Sequence, residues 1–149
     1  MQKPLIYLAQ SDTTAGFLSL DFHQLNTIKG REISKNVLIT TSSLQNLKKI
    51  TRVPNLHKNR VRKSKKTTFI YKEPKNIAVR VVMSGLHQEF LSFFDALYSS
   101  SANFHKQKFI LDYALAKSDV VVLDKRGIEE KEASKIFLIH HKKIRKIRG

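Results

Sequence analysis

Short apolar runs of strand length alternate with helix-period segments along the whole of this 149-residue chain, and that alternation restricts the fold more than any other feature. Leu5–Ala9 reads as a strand. Phe22, Leu25 and Ile28 recur every three residues and predict the inner face of a helix from about Asp21 to Lys29. Val37–Thr40 is the next strand, and Ser42 or Ser43 caps a helix carrying Leu44, Leu47 and Ile50. Thr67–Tyr71 and Ile77–Val82 are strands around a turn containing Pro74. Phe90, Leu91, Phe94 and Leu97 mark an amphipathic helix that leads into a short strand, Tyr98–Ser101. Phe109–Ala116 reads as helical and Val120–Leu123 as a buried strand. Ile136–Ile139 and Ile144–Ile147 complete the sheet. Strands interleaved with helices predict an α/β domain, and the length suits one domain, 1–149, with a layered core.

Composition narrows the class. Hydrophobic residues at 41% and charged residues at 27% are ordinary for a folded domain. There is no cysteine, which removes disulfides and thiolate metal sites. No apolar run approaches membrane-spanning length and the N-terminus has no cleavage-like site, so the expectation is a cytoplasmic protein without a membrane partner. No repeat, low-complexity linker or Walker-type glycine loop is readable, nor is a Ser-His-Asp arrangement. His140 and His141 are neighbours on a predicted strand and so point to opposite faces. With no His-x-x-x-His spacing, no metal site is expected.

Two short segments carry the chemistry. Tyr98-Ser99-Ser100-Ser101-Ala102-Asn103 places hydroxyl and amide groups where a strand stops, with Ser99 and Ser101 on one face. Ile28-Lys29-Gly30-Arg31 puts a point charge and a planar guanidinium at the exposed end of a helix, a pair suited to phosphate. Lys-x-Arg followed by Ser-x-Asn resembles the signature of the YrdC-type family, the threonylcarbamoyl-AMP synthases and their YciO-like relatives. Further matches follow in the family's order: the loop Gln10-Ser11-Asp12-Thr13-Thr14-Ala15-Gly16, the strand Ala78-Val79-Arg80-Val81, Ser134-Lys135-Ile136, and Arg148-Gly149. Departures occur at Gln10 and Ala15, where the family's loop has Pro and Tyr, at Glu32 in place of Pro, and at Phe104-His105 in place of Ser-Gly. The basic Arg62–Lys66 replaces a Trp-Pro-Gly-Pro turn ahead of Thr67-Thr68.

The resemblance implies a twisted mixed sheet with flanking helices and a basic concave cleft. It implies a synthase-like activity in which ATP, L-threonine and bicarbonate give threonylcarbamoyl-AMP and pyrophosphate for tRNA modification, in company with other tRNA-modification proteins. Lys29, Arg31, Ser101 and Asn103 would be the catalytic set. Ser11, Asp12, Thr13, Thr68, Arg80, Ser99, Ser134 and Arg148 would bind nucleotide or substrate, with Mg²⁺ accompanying ATP. Such a reaction needs no covalent intermediate; the protein aligns reactants and neutralises phosphate charge. The alternative is a non-catalytic relative that binds RNA.

Several of these residues carry a second reading. Arg80 lies beside Ala78 and Val82 on the face opposite Ile77, Val79 and Val81. It is either a ligand for phosphate or carboxylate, the partner of an acid such as Asp12, or simply exposed. Asp12 and Thr13 stand at the carboxyl end of the first strand, where α/β sheets place ligands; an ordinary Asx-type turn is the other reading. Asn103 equally suits a cap of the following segment. Asp95 and Asp119 read as structural.

Net charge is +16, unevenly spread. From Ile33 to Lys72 there are eleven Lys or Arg and no acid. The densest stretch contains Lys58, Arg60, Arg62, Lys63, Lys65 and Lys66, and a second block, His140–Arg148, lies near the C-terminus. This asymmetry predicts a polyanion partner such as tRNA or another structured RNA, or else a merely basic, soluble surface. Neither block interleaves aromatics, so contact would be made with the phosphate backbone and would depend on salt.

Overall fold

Asp21 begins the first helix by accepting a hydrogen bond from the His23 amide at 2.9 Å, and Gly30 ends it in a left-handed conformation, φ 67°. Between them lies α1 (Phe22–Lys29). The computed structural model describes residues 3–149, which form a mixed α/β fold of two compact units.

The first unit joins the chain up to Val37 with Leu97–Glu132. Its strands are β1 (Tyr7–Gln10), β2 (Ala15–Ser19), β6 (Leu97–Ser101) and β7 (Val120–Val122), ordered β7-β1-β2-β6. β1 pairs antiparallel with β2 and parallel with β7, and β2 pairs antiparallel with β6 so that Gly16 faces Ser101. Ile6, Leu8, Phe17 and Leu25 bury themselves together with Ala114 of α5 (Leu111–Lys117). Removing each large side chain from water contributes about 1.5–3 kcal/mol. β2 escaped the hydrophobic pattern because all five of its residues are buried, which erases the period-two alternation. β7 was expected to be buried; it is the edge of this unit's strand order, its three valines are half-buried, and Leu123 beyond it is 75% exposed.

The second unit comprises Leu38–Ala96 and Ala133–Gly149. β3 (Leu38–Thr41), β5 (Ile77–Val81), β4 (Thr67–Tyr71), β8 (Lys135–Ile139) and β9 (Ile144–Arg148) lie in that spatial order. β3 is parallel to β5 and β4 is parallel to β8, whereas the β4–β5 and β8–β9 pairs are antiparallel hairpins. α2 (Leu44–Ile50) is capped by Ser43, whose side chain accepts from the Asn46 amide. A 3-10 turn, Asn55–His57, runs into α3 (Lys58–Lys63). The core gathers Leu47, Val61, Phe69, Tyr71, Val79 and Ile139.

Two expectations change here. The helix read through Phe94 and Leu97 stops at Leu91 (α4, Leu86–Leu91), and Leu97 opens β6 instead. Four apolar residues at helical spacing were shared between a helix and the turn and strand after it. His140 and His141 do not lie on a strand: β8 ends at Ile139, they occupy the β8–β9 turn, and His57 Nε2 contacts the His140 carbonyl at 3.1 Å. No helix among the described residues is long and apolar enough to cross a membrane.

Candidate functional site

The end of α1 sets the aim of both cations. With Gly30 in the left-handed region, its N–H reaches Thr27 O and the Arg31 N–H reaches Asn26 O, both at 3.1 Å. This paired cap reverses the chain between Lys29 and Arg31. A side chain at position 30 would also collide with Phe104, whose ring atoms lie 2.2–2.4 Å from an ideal Cβ.

Lys29 was expected at an exposed helix end; it is 2% exposed. Its ammonium turns inward and donates to Ser101 O at 2.5 Å, Ser101 Oγ at 3.3 Å and Asn103 Oδ1 at 3.4 Å. Burial, and then the positive charges of Arg31 and Lys35, pull its pKa down to about 7. Arg31 donates from Nε to Asn26 Oδ1 at 2.8 Å and from Nη2 to Ser100 Oγ at 3.1 Å. Burial lowers its pKa too. Lys29, Arg31, Ser101 and Asn103 thus come together as the sequence suggested, and the Ser100 hydroxyl meets Arg31. Ser99 is buried one residue earlier on β6. The Asn103 amide nitrogen donates to Phe104 O and Gln107 O, tying down the following segment, and its oxygen accepts from Lys29.

The loop after β1 is held by Ser11. Ser11 Oγ accepts from the Thr13 amide at 3.0 Å and donates to Thr14 O at 2.6 Å. Ser11 and Thr13 are buried. Outside the sequence reading altogether, Arg126 donates to Ser11 O and Gln10 O at 3.0 and 2.8 Å while paired with Asp124 at 2.7 Å. Gln10, which stands where the family's loop has Pro, accepts the Glu129 amide at 2.8 Å.

In the second unit Thr68, Ser134 and Arg148 meet. The Thr68 and Ser134 hydroxyls are 2.8 Å apart, and Arg148 donates to Ser134 O and Oγ at 2.9 and 3.2 Å. Arg80, on β5 in register with Thr40, is 4% exposed, so simple exposure is excluded for it. Lys58, Arg60, Arg62, Lys63, Lys65 and Lys66 are all exposed on α3 and the turn after it. The Arg60 guanidinium lies 5.6 Å from the Phe137 ring centre.

A Sua5/YciO/YrdC family model, described as telomere recombination, matches residues 21–149. The chain belongs to this family. Its fold is similar to that of YciO from E. coli (TM-score 0.77, 14% identity, 97% of this chain and 82% of that one). It is also similar to MTH1692 from Methanobacterium thermoautotrophicum (0.70, 17%, 97% and 79%). A third similar structure is P. abyssi Sua5 complexed with L-threonine (0.69, 14%, 91% and 47%). The chain therefore spans about half the length of that Sua5. At these identities the likeness is one of fold. No curated protein matches this sequence significantly.

Proposed function

We propose that this family member is a threonylcarbamoyl-AMP synthase-like protein that uses ATP, L-threonine and bicarbonate in the pathway to threonylcarbamoyl-modified tRNA. The observation that carries the reading is the convergence of Lys29 and Arg31 on Ser100, Ser101 and Asn103 at the end of β6. A buried ammonium supported only by neutral oxygens is costly to keep charged, and an arriving phosphate supplies the missing counter-charge. Bicarbonate and the threonine amine first give a carbamate: the amine nitrogen bonds to the bicarbonate carbon, and a carbon–oxygen bond breaks to release water. The carbamate oxygen attacks the α-phosphorus of ATP, and the bond to the bridging oxygen breaks to release pyrophosphate. Lys29 and Arg31 neutralise the charge that develops on phosphate oxygens. The Ser11–Thr13 loop is the threonine-side candidate, consistent with the L-threonine bound to the Sua5 neighbour. Mg²⁺ would travel on the phosphates of ATP.

The test is formation of threonylcarbamoyl-AMP and pyrophosphate by the purified chain. Lys29→Ala and Arg31→Ala should each lower kcat/KM by about 10²–10³-fold, the usual loss for one charge-stabilising donor. A folded protein that binds ATP and forms no product would overturn the synthase reading. A second reading, RNA binding by a non-catalytic relative, is favoured by the six exposed cations of the Lys58–Lys66 segment. The two are compatible, since an enzyme feeding tRNA modification benefits from a surface that holds tRNA.

A further inference from the structure

Charge is divided unequally between the two units. The second holds 18 of the chain's 28 Lys and Arg but only three of its 12 acids, which leaves the first close to neutral. A unit that basic suits a polyanion better than a small anion, because such a surface meets many phosphates at once. Its two basic segments begin at one place. The 3-10 turn Asn55–His57 leads into the cations of α3, and the turn after β8 leads through Lys142 and Lys143 into Arg145 and Lys146 of β9. His57, 4% exposed, ties the two turns together through its 3.1 Å contact with the His140 carbonyl.

At that junction, beyond the carboxyl ends of the parallel strands β4 and β8, lies a cavity of about 710 Å³. Open α/β sheets place ligands at such strand ends, and the volume is that of an ordinary small-ligand pocket. Tyr71 and Ile139, the last residues of the two strands, line it and are each 1% exposed. Pro54, Leu56 and Pro74 add apolar wall, and Leu56 lies outside the core at 70% exposed. Arg52, Lys72 and Lys142 bring positive charge to the same cavity, and His140 and His141 bring imidazole rings on exposed residues. Imidazole and guanidinium planes stack on unpaired RNA bases. Neither basic block interleaves Phe, Tyr or Trp along the sequence; the fold brings Pro54, Leu56 and Tyr71 to the place where both begin. Tyr71 lies three residues beyond Thr68 on β4, about 10 Å along the strand. The cavity is therefore separate from the cluster of Thr68, Ser134 and Arg148.

We infer that this cavity receives one unpaired nucleotide of a structured RNA, its base against Pro54, Leu56 and the histidine rings and its flanking phosphates on Arg52, Lys72 and Lys142. The inference rests on the RNA-binding reading and deepens it. Cations alone hold any RNA backbone, whereas a base-sized cavity selects RNAs that have an unstacked nucleotide to offer. Glu73, the one carboxylate in the lining, repels phosphate and so leaves its side of the cavity to the base.

The probe is an RNA hairpin with one bulged 2-aminopurine, compared with the same hairpin fully paired, each titrated with the full chain across a salt series. The bulged hairpin should bind about five- to fiftyfold more tightly, as expected for one stacked base, and its fluorescence should change on binding. Leu56→Ala and His141→Ala, at exposed positions, should each remove most of that preference with unchanged melting temperature. Both should leave the affinity for paired RNA and the salt slope as they were, since neither changes a contact to phosphate. Lys72→Ala combined with Lys142→Ala should weaken binding of both hairpins and flatten the slope. The preference itself should survive replacement of the α3 cations, which lowers both affinities together. Equal affinity for the two hairpins in wild type, or a preference undiminished in both Leu56→Ala and His141→Ala, would sink the cavity while salt-dependent RNA binding stood. Absence of salt-dependent binding to either hairpin would overturn the RNA reading and the cavity with it. Poly-glutamate of matched charge binding as tightly as the bulged hairpin would replace the nucleotide with an acidic protein segment.

Discussion

The Lys29 ammonium lies 2.5 Å from the backbone oxygen of Ser101, and its remaining contacts are a hydroxyl and an amide oxygen. None of these acceptors carries a full charge, so burial prevails and the pKa falls to about 7. The unfolded chain holds this proton up to about 10.5, the ordinary lysine value. Between the two values the unfolded state binds more protons, so Lys29's contribution makes stability rise with pH from about 7 to 10.5; below 7 the cost of burying the charge is fully present. Phosphate binding should have the opposite preference, because it favours the charged ammonium. Affinity for a phosphate ligand should weaken as pH rises through 7, with net proton uptake on binding near pH 8. Calorimetry in buffers of different ionisation enthalpy measures that uptake, and it should vanish in Lys29→Met.

Gly30 and Phe104 set a second expectation. Gly30→Ala meets both the left-handed backbone and the Phe104 ring. The backbone term alone costs about 1–2 kcal/mol, and overpacking against a ring adds about 1–3 kcal/mol. In urea unfolding, adding Phe104→Ala to Gly30→Ala should recover the packing part and leave the backbone part. Equal destabilisation with and without the ring would show that Phe104 moves aside freely.

Ser134 links the β4 and β9 strands through Thr68 and Arg148. Ser134→Ala leaves the buried Thr68 hydroxyl without that partner and should destabilise by about 1–3 kcal/mol in chemical denaturation. Pairing it with Thr68→Val should cost less than the sum of the two single changes, since both ends of the hydrogen bond are then gone.

The exposed cations of α3 predict salt-dependent RNA affinity. If about six phosphates are neutralised, binding should fall by roughly 10³-fold between 50 and 200 mM salt. Replacing Arg60, Arg62, Lys63, Lys65 and Lys66 with Ala should flatten the salt slope and weaken all structured RNAs alike, while nucleotide binding persists. Filter binding across a salt series measures this, and an unchanged slope in the variant would remove the electrostatic argument.

Much of the fold was legible because its signals are local. Thr67–Tyr71 matches β4 to the residue, since strand-forming residues follow a charged turn. Asp21 and Ser43 begin helices through their side chains, as their residue types suggest. β2 was not legible because Ala15–Ser19 is buried throughout and offers no alternation. In the candidate site, Lys29, Arg31, Ser101 and Asn103 stood out by spacing, yet the burial of Lys29 was invisible, because it depends on how β6 docks beside α1. Asn26 and Arg126 were missed for a related reason. An amide inside a helix and an arginine in a loop look ordinary until contacts five to 116 positions away are known.

Val61 is the sole buried residue of α3, in a helix of only six residues that also carries Lys58, Arg60, Arg62 and Lys63. Such a segment has little apolar grip and much mutual repulsion, so its backbone amides should exchange with solvent well before those of the strands beneath it. A bound polyanion would cancel the repulsion and slow that exchange, so that the most easily opened part of the second unit becomes ordered on contact with its ligand.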